Sequence, residues 1–179
     1  MSPEHVLTFW FDEHTKDDWY GGQAAFDDKV RAHFGDLVPQ AEACELFNWR
    51  TSPQGRLAEI IILDQFTRQL FRGEARAFAS DNLALALAQE AVASGDDLKL
   101  TPDQRQFLYM PYMHSESLII QDESLRVFAE LNEGLLKFAE GHRAVIQRFG
   151  RFPKRNEALG RTPTQPERDY IADSGNSMF

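Results

Sequence analysis

From residue 52 onward, three helix starts are marked by a serine or threonine that heads a proline-bearing first turn. Ser52-Pro53 opens an apolar segment through Leu57, Ile60, Ile61, Leu63, Phe66 and Leu70, with Gly73 as its stop. Thr101-Pro102-Asp103-Gln104 is a capping box, because Gln104 reaches back to the threonine amide. Thr164-Gln165-Pro166-Glu167 is another, heading a short terminal helix. Apolar periodicity predicts further helices over Val6 to Phe11, Phe26 to Phe47 and Asp81 to Gly95. Pro111 is expected to break the run begun at Thr101. A pattern resumes from Ser115 through Leu135, with Gln121-Asp122 as its point of division. No run alternates with period two and β-branched residues, which argues against a sheet. The expected fold is all-α: one domain over residues 1–179, about seven to nine helices with short connections, and a frayed tail from about 174.

A chain of 179 residues buries a sizeable core without covalent staples. Cys44 is its only cysteine, which excludes an internal disulfide framework and a multi-cysteine zinc site. The longest apolar run, Leu83 to Ala88, falls far short of the roughly 20 residues of a membrane span. The opening MSPEHVLTFWFDEH has no basic n-region and carries acids in its apolar stretch, unlike a signal peptide. A cytoplasmic protein is expected.

Charge is unevenly placed. The chain carries −9 in all, but from His142 to Arg161 six basic residues face one acid, Glu157. An acidic body repels nucleic acid and anionic membranes over most of its surface, whereas a basic patch attracts a small anion or an acidic partner. The same arginines also suit pairing with the body's surplus carboxylates.

Three segments carry the polar residues that interrupt this apolar pattern. In LDQFTRQLFRG, Asp64, Arg68 and Arg72 recur at i, i+4 and i+8. They form either a solvated stripe or a buried row that needs anionic partners. In YMPYMHSE, a break at Pro111 would leave His114 and Ser115 near the free amides of the next helix, where an anion binds. His114 reads as a proton donor or a satisfied buried histidine, and Glu116 as a first-turn acid. In RFGRFPKRNEALGR, Arg148, Arg151 and Arg155 interleave with Phe149 and Phe152, giving planar forks for carboxylate or phosphate. His142 lies two turns ahead of Gly150, directed toward the same region. Phosphate-loop, dinucleotide, nucleophile-elbow and zincin signatures are absent, as is any Glu-x-x-His pair. No metal or cofactor is expected.

The same segments carry a family resemblance. VLTFWF, LDQF-x-R with FRG and AFASD, YMPYMHSE, and FGRFP-x-RN followed by LGR resemble the bacterial DUF924 family, in consistent order from Val6 to Ile171. The resemblance implies a tetratricopeptide-repeat-like helical fold of antiparallel helix pairs stacked into a curved layer. The family's recurring polar positions fall on Asp64, Gln65, Arg68, Arg72, His114, Ser115, Glu116, His142, Arg148, Arg151, Arg155 and Asn156. Thr67, Gln69 and Lys154 depart from the family's proline, asparagine and histidine. No activity comes with the resemblance.

Three functions compete. The first is a polar site for a small phosphate- or carboxylate-bearing ligand, built from Asp64, Arg68, Arg72, His114, Glu116, His142, Arg148, Arg151, Arg155 and Asn156. The second is a helical scaffold for an acidic peptide. The third assigns these motifs to structure alone, while RNA contact through the arginine–phenylalanine segment is disfavoured by the −9 charge. Under the first and third, Asp64, Arg68, His114 and Arg151 are expected in one polar cluster, because buried charges must find one another.

Overall fold

A computed structural model describes residues 1–175; the expected tail beyond them lies outside the described residues. The chain is all-α, with no strand among the described residues. Its helices are α1 (Pro3–Leu7), α2 (Lys16–Tyr20), α3 (Ala24–Phe34), α4 (Leu37–Glu42), α5 (Pro53–Ile61), α6 (Thr67–Leu70), α7 (Asp81–Ala93), α8 (Pro102–Met113), α9 (Leu118–Ala129), α10 (Glu133–Phe149) and α11 (Gln165–Ser174). A π-helical turn, Ile62–Phe66, joins α5 to α6, and a second, Thr8–Asp12, extends α1. With α5 and α6 read as one rod, ten helices result among the described residues, slightly more than the sequence suggested. The surplus comes from α2, in a stretch that reads as a polar turn, and from the division of 26–47 at Gly35-Asp36.

The proline-headed caps form as expected. Ser52 accepts the Gly55 amide, and the boxes at Thr101 and Thr164 close in both directions. Two breaks lie elsewhere than the sequence suggested. Helix α8 runs through Pro111 to Met113, since a proline inside a helix forfeits one backbone bond and Gln106–Met113 are all buried. The next division falls at 130–132, where Asn132 Oδ1 accepts the Leu135 amide. Gln121 does not break α9. It is fully buried, and its amide donates to the carbonyls of Met113 (2.8 Å) and Ser115 (2.7 Å), so it ties down the turn that leaves α8.

The core is aromatic at its centre. Phe9 and Trp10 of the π-turn Thr8–Asp12 meet Phe66 of the π-turn Ile62–Phe66, with ring centroids 6.2 and 5.6 Å apart. Trp10 also stacks on Trp19 and meets Phe107 edge-on at 5.3 Å. Offset and edge-to-face rings of this kind add to the burial of their large apolar areas. Around this centre α1, α7 and α8 pack on α5, and α8, α9 and α10 pack in succession. A smaller apolar cluster, Val145, Ile146 and Phe152 with Phe149 and Tyr170, seats α11 at the end of α10.

Candidate functional site

The π-turn Ile62–Phe66 places a carboxylate at the centre of the protein. An extra residue in the helical turn re-aims side chains, and such turns recur at functional sites. Asp64 is completely buried. Its carboxylate accepts from His114 Nδ1 at 2.7 Å and from the Gln65 amide, and it lies 3.3 Å from Arg68 Nη1. Burial works against ionisation of Asp64. Arg68, His114 and Gln65 together outweigh it and hold the carboxyl below the usual carboxylate range.

His114 caps the C-terminus of α8 instead of opening the next helix. Its own amide is bonded to Met110, and the Ser115 amide to Tyr112, so no row of free N–H groups awaits an anion there. Because Asp64 holds Nδ1, the second ring nitrogen, Nε2, makes no hydrogen bond among the described residues. Burial pushes the imidazole below its ordinary value against the pull of Asp64, so it is neutral at pH 7.

Behind this pair stands a closed set of ions. Asp81, at the head of α7, takes Arg68 at 3.0 Å and Arg155 at 3.1 Å. Arg155 also donates to the His114 carbonyl at 2.9 Å, with its guanidinium over the rings of Phe152 (4.5 Å) and Phe78 (4.7 Å). Burial, and next the Arg68 charge, bring Arg155 down to about 10, still protonated at pH 7. Glu116 accepts the Phe152 amide at 2.7 Å and pairs with Arg161 at 2.7 Å, while Arg161 donates to Asn156 Oδ1. Segment 152–161 therefore clamps the turn that carries His114.

In front of the pair opens a cavity of about 490 Å³. Leu135, Phe138 and His142 face it from one side of α10, at helical spacing. Met110 and Met113 of α8 and Phe128 of α9 extend the apolar wall. Gln65, Gln106, Arg68 and His114 supply the polar part, and α2 contributes Lys16, Trp19 and Tyr20. His142 donates Nδ1–H to the Phe138 carbonyl at 2.8 Å, and its ring lies 6.3 Å from that of His114. Burial lowers His142 to about 4. Tyr20 accepts from Gln106 at 2.9 Å, and burial raises its hydroxyl to about 12.

Of the sequence candidates, Arg68, Arg72, His114 and His142 line the cavity. Asp64, Arg155, Glu116 and Asn156 stand behind it. Arg72 lies past the end of α6 and pairs with Asp27 of α3 at 2.9 Å. Arg148 and Arg151 lie elsewhere. Arg151 forms a two-pronged pair with Glu167 (2.6 and 2.8 Å), and Arg148 lies over Phe149 and Tyr170. The expected cluster thus holds Asp64, Arg68 and His114 but not Arg151. Four of the five arginines of the basic run pair with carboxylates: Arg143 with Asp122, Arg151 with Glu167, Arg155 with Asp81 and Arg161 with Glu116.

Sequence reasoning missed Asp81, Arg161 and all of α2. The Thr15–Asp18 capping box was the available signal for α2. Among the described residues no group of three or more His, Cys, Asp or Glu side chains is placed to hold a metal ion. No helix there is long and apolar enough to cross a membrane.

No curated protein matches the chain. A solved structure described as a protein of unknown function, ATU0120 from Agrobacterium tumefaciens, superimposes with a TM-score of 0.91. It is 36% identical, and the match covers 96% of this chain and 97% of that one. The family model described as a bacterial protein of unknown function, DUF924, matches residues 6–175. With both the sequence pattern and the fold shared over nearly its whole length, the chain belongs to the DUF924 family.

Proposed function

We propose that the protein binds a small organic ligand in the cavity, and that His114, held by Asp64, accepts a hydrogen bond or a proton from it. One observation carries this reading: a buried carboxylate orients the imidazole through Nδ1 and leaves Nε2 without a hydrogen bond among the described residues, at the wall of a cavity of about 490 Å³. Sites for small molecules have this size and this mixture of apolar wall with a few polar groups. A carboxylate on Nδ1 also fixes the tautomer that makes Nε2 a base. The acidic-peptide reading has less support, because most of the arginines it would use are already paired with internal carboxylates. Cys44, a lone exposed thiol, supports a reducing, cytoplasmic setting.

The test is a fragment screen by ligand-observed NMR on three proteins: wild type, His114→Asn and Leu135→Trp. The asparagine amide can still donate to Asp64 but lacks the Nε2 acceptor. The tryptophan adds bulk to the wall of the cavity. Fragments bound by wild type should weaken with His114→Asn and be lost with Leu135→Trp. No bound fragments, or fragments bound equally by all three, would defeat the reading.

A further inference from the structure

Acids make up 28 of the 179 residues and the chain carries −9, yet among the described residues no carboxylate lines the cavity. Three cations do: Lys16, Arg68 and Arg72. Their charges are not equally available. Arg68 is answered by Asp64 and Asp81, and Arg72 by Asp27. Lys16 is exposed and makes no ion pair among the described residues. A positive charge at the rim with no ion pair among the described residues favours one negative charge on a ligand. The wall formed by Met110, Met113 and Phe128 is buried and apolar, and it favours an apolar body. A second ligand charge placed deep would meet no free partner and would be costly there. At the wall of the cavity His114 Nε2 is an acceptor without a hydrogen bond among the described residues, and it calls for a hydroxyl donor.

We infer that the cavity takes an apolar monocarboxylic acid bearing a hydroxyl group. Its carboxylate lies at the Lys16 and Arg72 rim, its body lies along the methionine and phenylalanine wall, and its hydroxyl donates to His114 Nε2. This inference rests on the small-ligand reading above and commits it to one chemical class.

The probes are 3-(4-hydroxyphenyl)propionate, its methyl ester, and 3-phenylpropionate, titrated calorimetrically in 50 mM and 500 mM salt. Wild type should bind the hydroxy acid about threefold to fivefold more tightly than the methyl ester at low salt, the scale of one exposed ion pair. That preference should shrink at 500 mM salt and vanish in Lys16→Ala, an exposed substitution that leaves the core intact. The hydroxy acid should also outbind 3-phenylpropionate in wild type, but not in His114→Asn. An ester that binds as tightly as the acid, or an acid preference that survives Lys16→Ala, overturns the anionic assignment. A hydroxyl preference that survives His114→Asn overturns the placement of the donor. If none of the three probes binds wild type, the class is wrong. The small-ligand reading then stands or falls on the fragment screen, so the two failures are told apart.

Discussion

Arg155 and Arg151 stand four residues apart in one basic run, and each grips a carboxylate, but the two pairs sit in different surroundings. Arg155 is largely buried, shares Asp81 with Arg68, lies over two phenylalanine rings and donates to the backbone carbonyl of His114. Arg151 is more exposed and fastens Glu167, itself part of the cap of α11. The first pair supports the cavity, and the second attaches a terminal helix. Equal charge and equal partner type therefore give unequal consequences. Burial and the number of shared partners decide which pair the fold depends on.

The largest expected effect lies at the centre of the buried set. Asp64→Ala removes the carboxylate that answers both His114 and Arg68, while Arg68 keeps Asp81. Breaking a buried pair in this way should cost about 3 kcal/mol in urea denaturation. A loss no greater than that of an exposed pair would break the contrast between the two regions.

Acid should reach the cavity side before it reaches the α11 side. The folded His142 titrates at about 4, below the ordinary histidine value of about 6.5, because burial disfavours its charged form. Its contribution is therefore complete above about pH 6.5 and is lost as pH falls toward 4, where the unfolded chain binds a proton that the native one refuses. His114 is shifted in the same direction and adds to the slope. Stability should fall by about 2 kcal/mol between pH 6.5 and 5. His142→Asn, whose amide can keep the bond to the Phe138 carbonyl, should flatten that slope. A curve unchanged by the substitution would remove His142 from the account. The depressed carboxyls of Asp64, Glu116 and Glu167 give up their stabilisation at lower pH, below the ordinary carboxylate range.

How much of this contrast the sequence carried depends on the range of the interaction. Caps are local, so Ser52, Thr101 and Thr164 announced their helices. The burial of 60–63 was also legible, because that stretch is apolar on every side. The polar partners were not. Asp81 lies 13 residues from Arg68 and 74 from Arg155 in sequence, and only the packing of α7 beside the π-turn makes it their common counter-ion. Pro111 misled for a related reason. Local rules give it a helix break, whereas the burial of Gln106–Met113 keeps α8 intact and moves His114 to a C-terminal cap. The π-turn left no periodic signature of its own, since it adds a single residue to one long helical run.

Arg155→Ala removes one of the two cations on Asp81 and leaves the His114 carbonyl without its donor. Arg68 still partners Asp81, so the expected loss is about 2 kcal/mol, less than for Asp64→Ala. This variant also tests the clamp directly. Because the loosened backbone belongs to His114, binding of any cavity ligand should weaken in Arg155→Ala at temperatures where the protein is still folded. Arg155→Lys, which keeps the charge but not the fork, should recover little of that binding.

The smallest effect is expected at Arg151, and salt gives it a diagnostic form. Its pair with Glu167 lies beside solvent, where counter-ions screen an attraction within about 8 Å at physiological ionic strength. Arg151→Ala should therefore lower the melting temperature less than Arg155→Ala does, and most of that difference from wild type should disappear in 1 M sodium chloride. The Arg155→Ala deficit should persist in the same salt, because its partners are buried and a carbonyl donor has been lost along with a charge. Glu167 keeps its bonds to the Thr164 amide and hydroxyl group of the capping box, so α11 should stay helical without the arginine. Ligand binding in the cavity should not change, since Arg151 neither lines it nor touches a residue that does. Melting curves of both variants at low and high salt, with probe titrations beside them, separate the two regions. If the two arginines respond alike to salt, burial is not what distinguishes them. If Arg151→Ala weakens the probe as much as Arg155→Ala, the two regions are coupled, and α11 belongs to the architecture of the cavity.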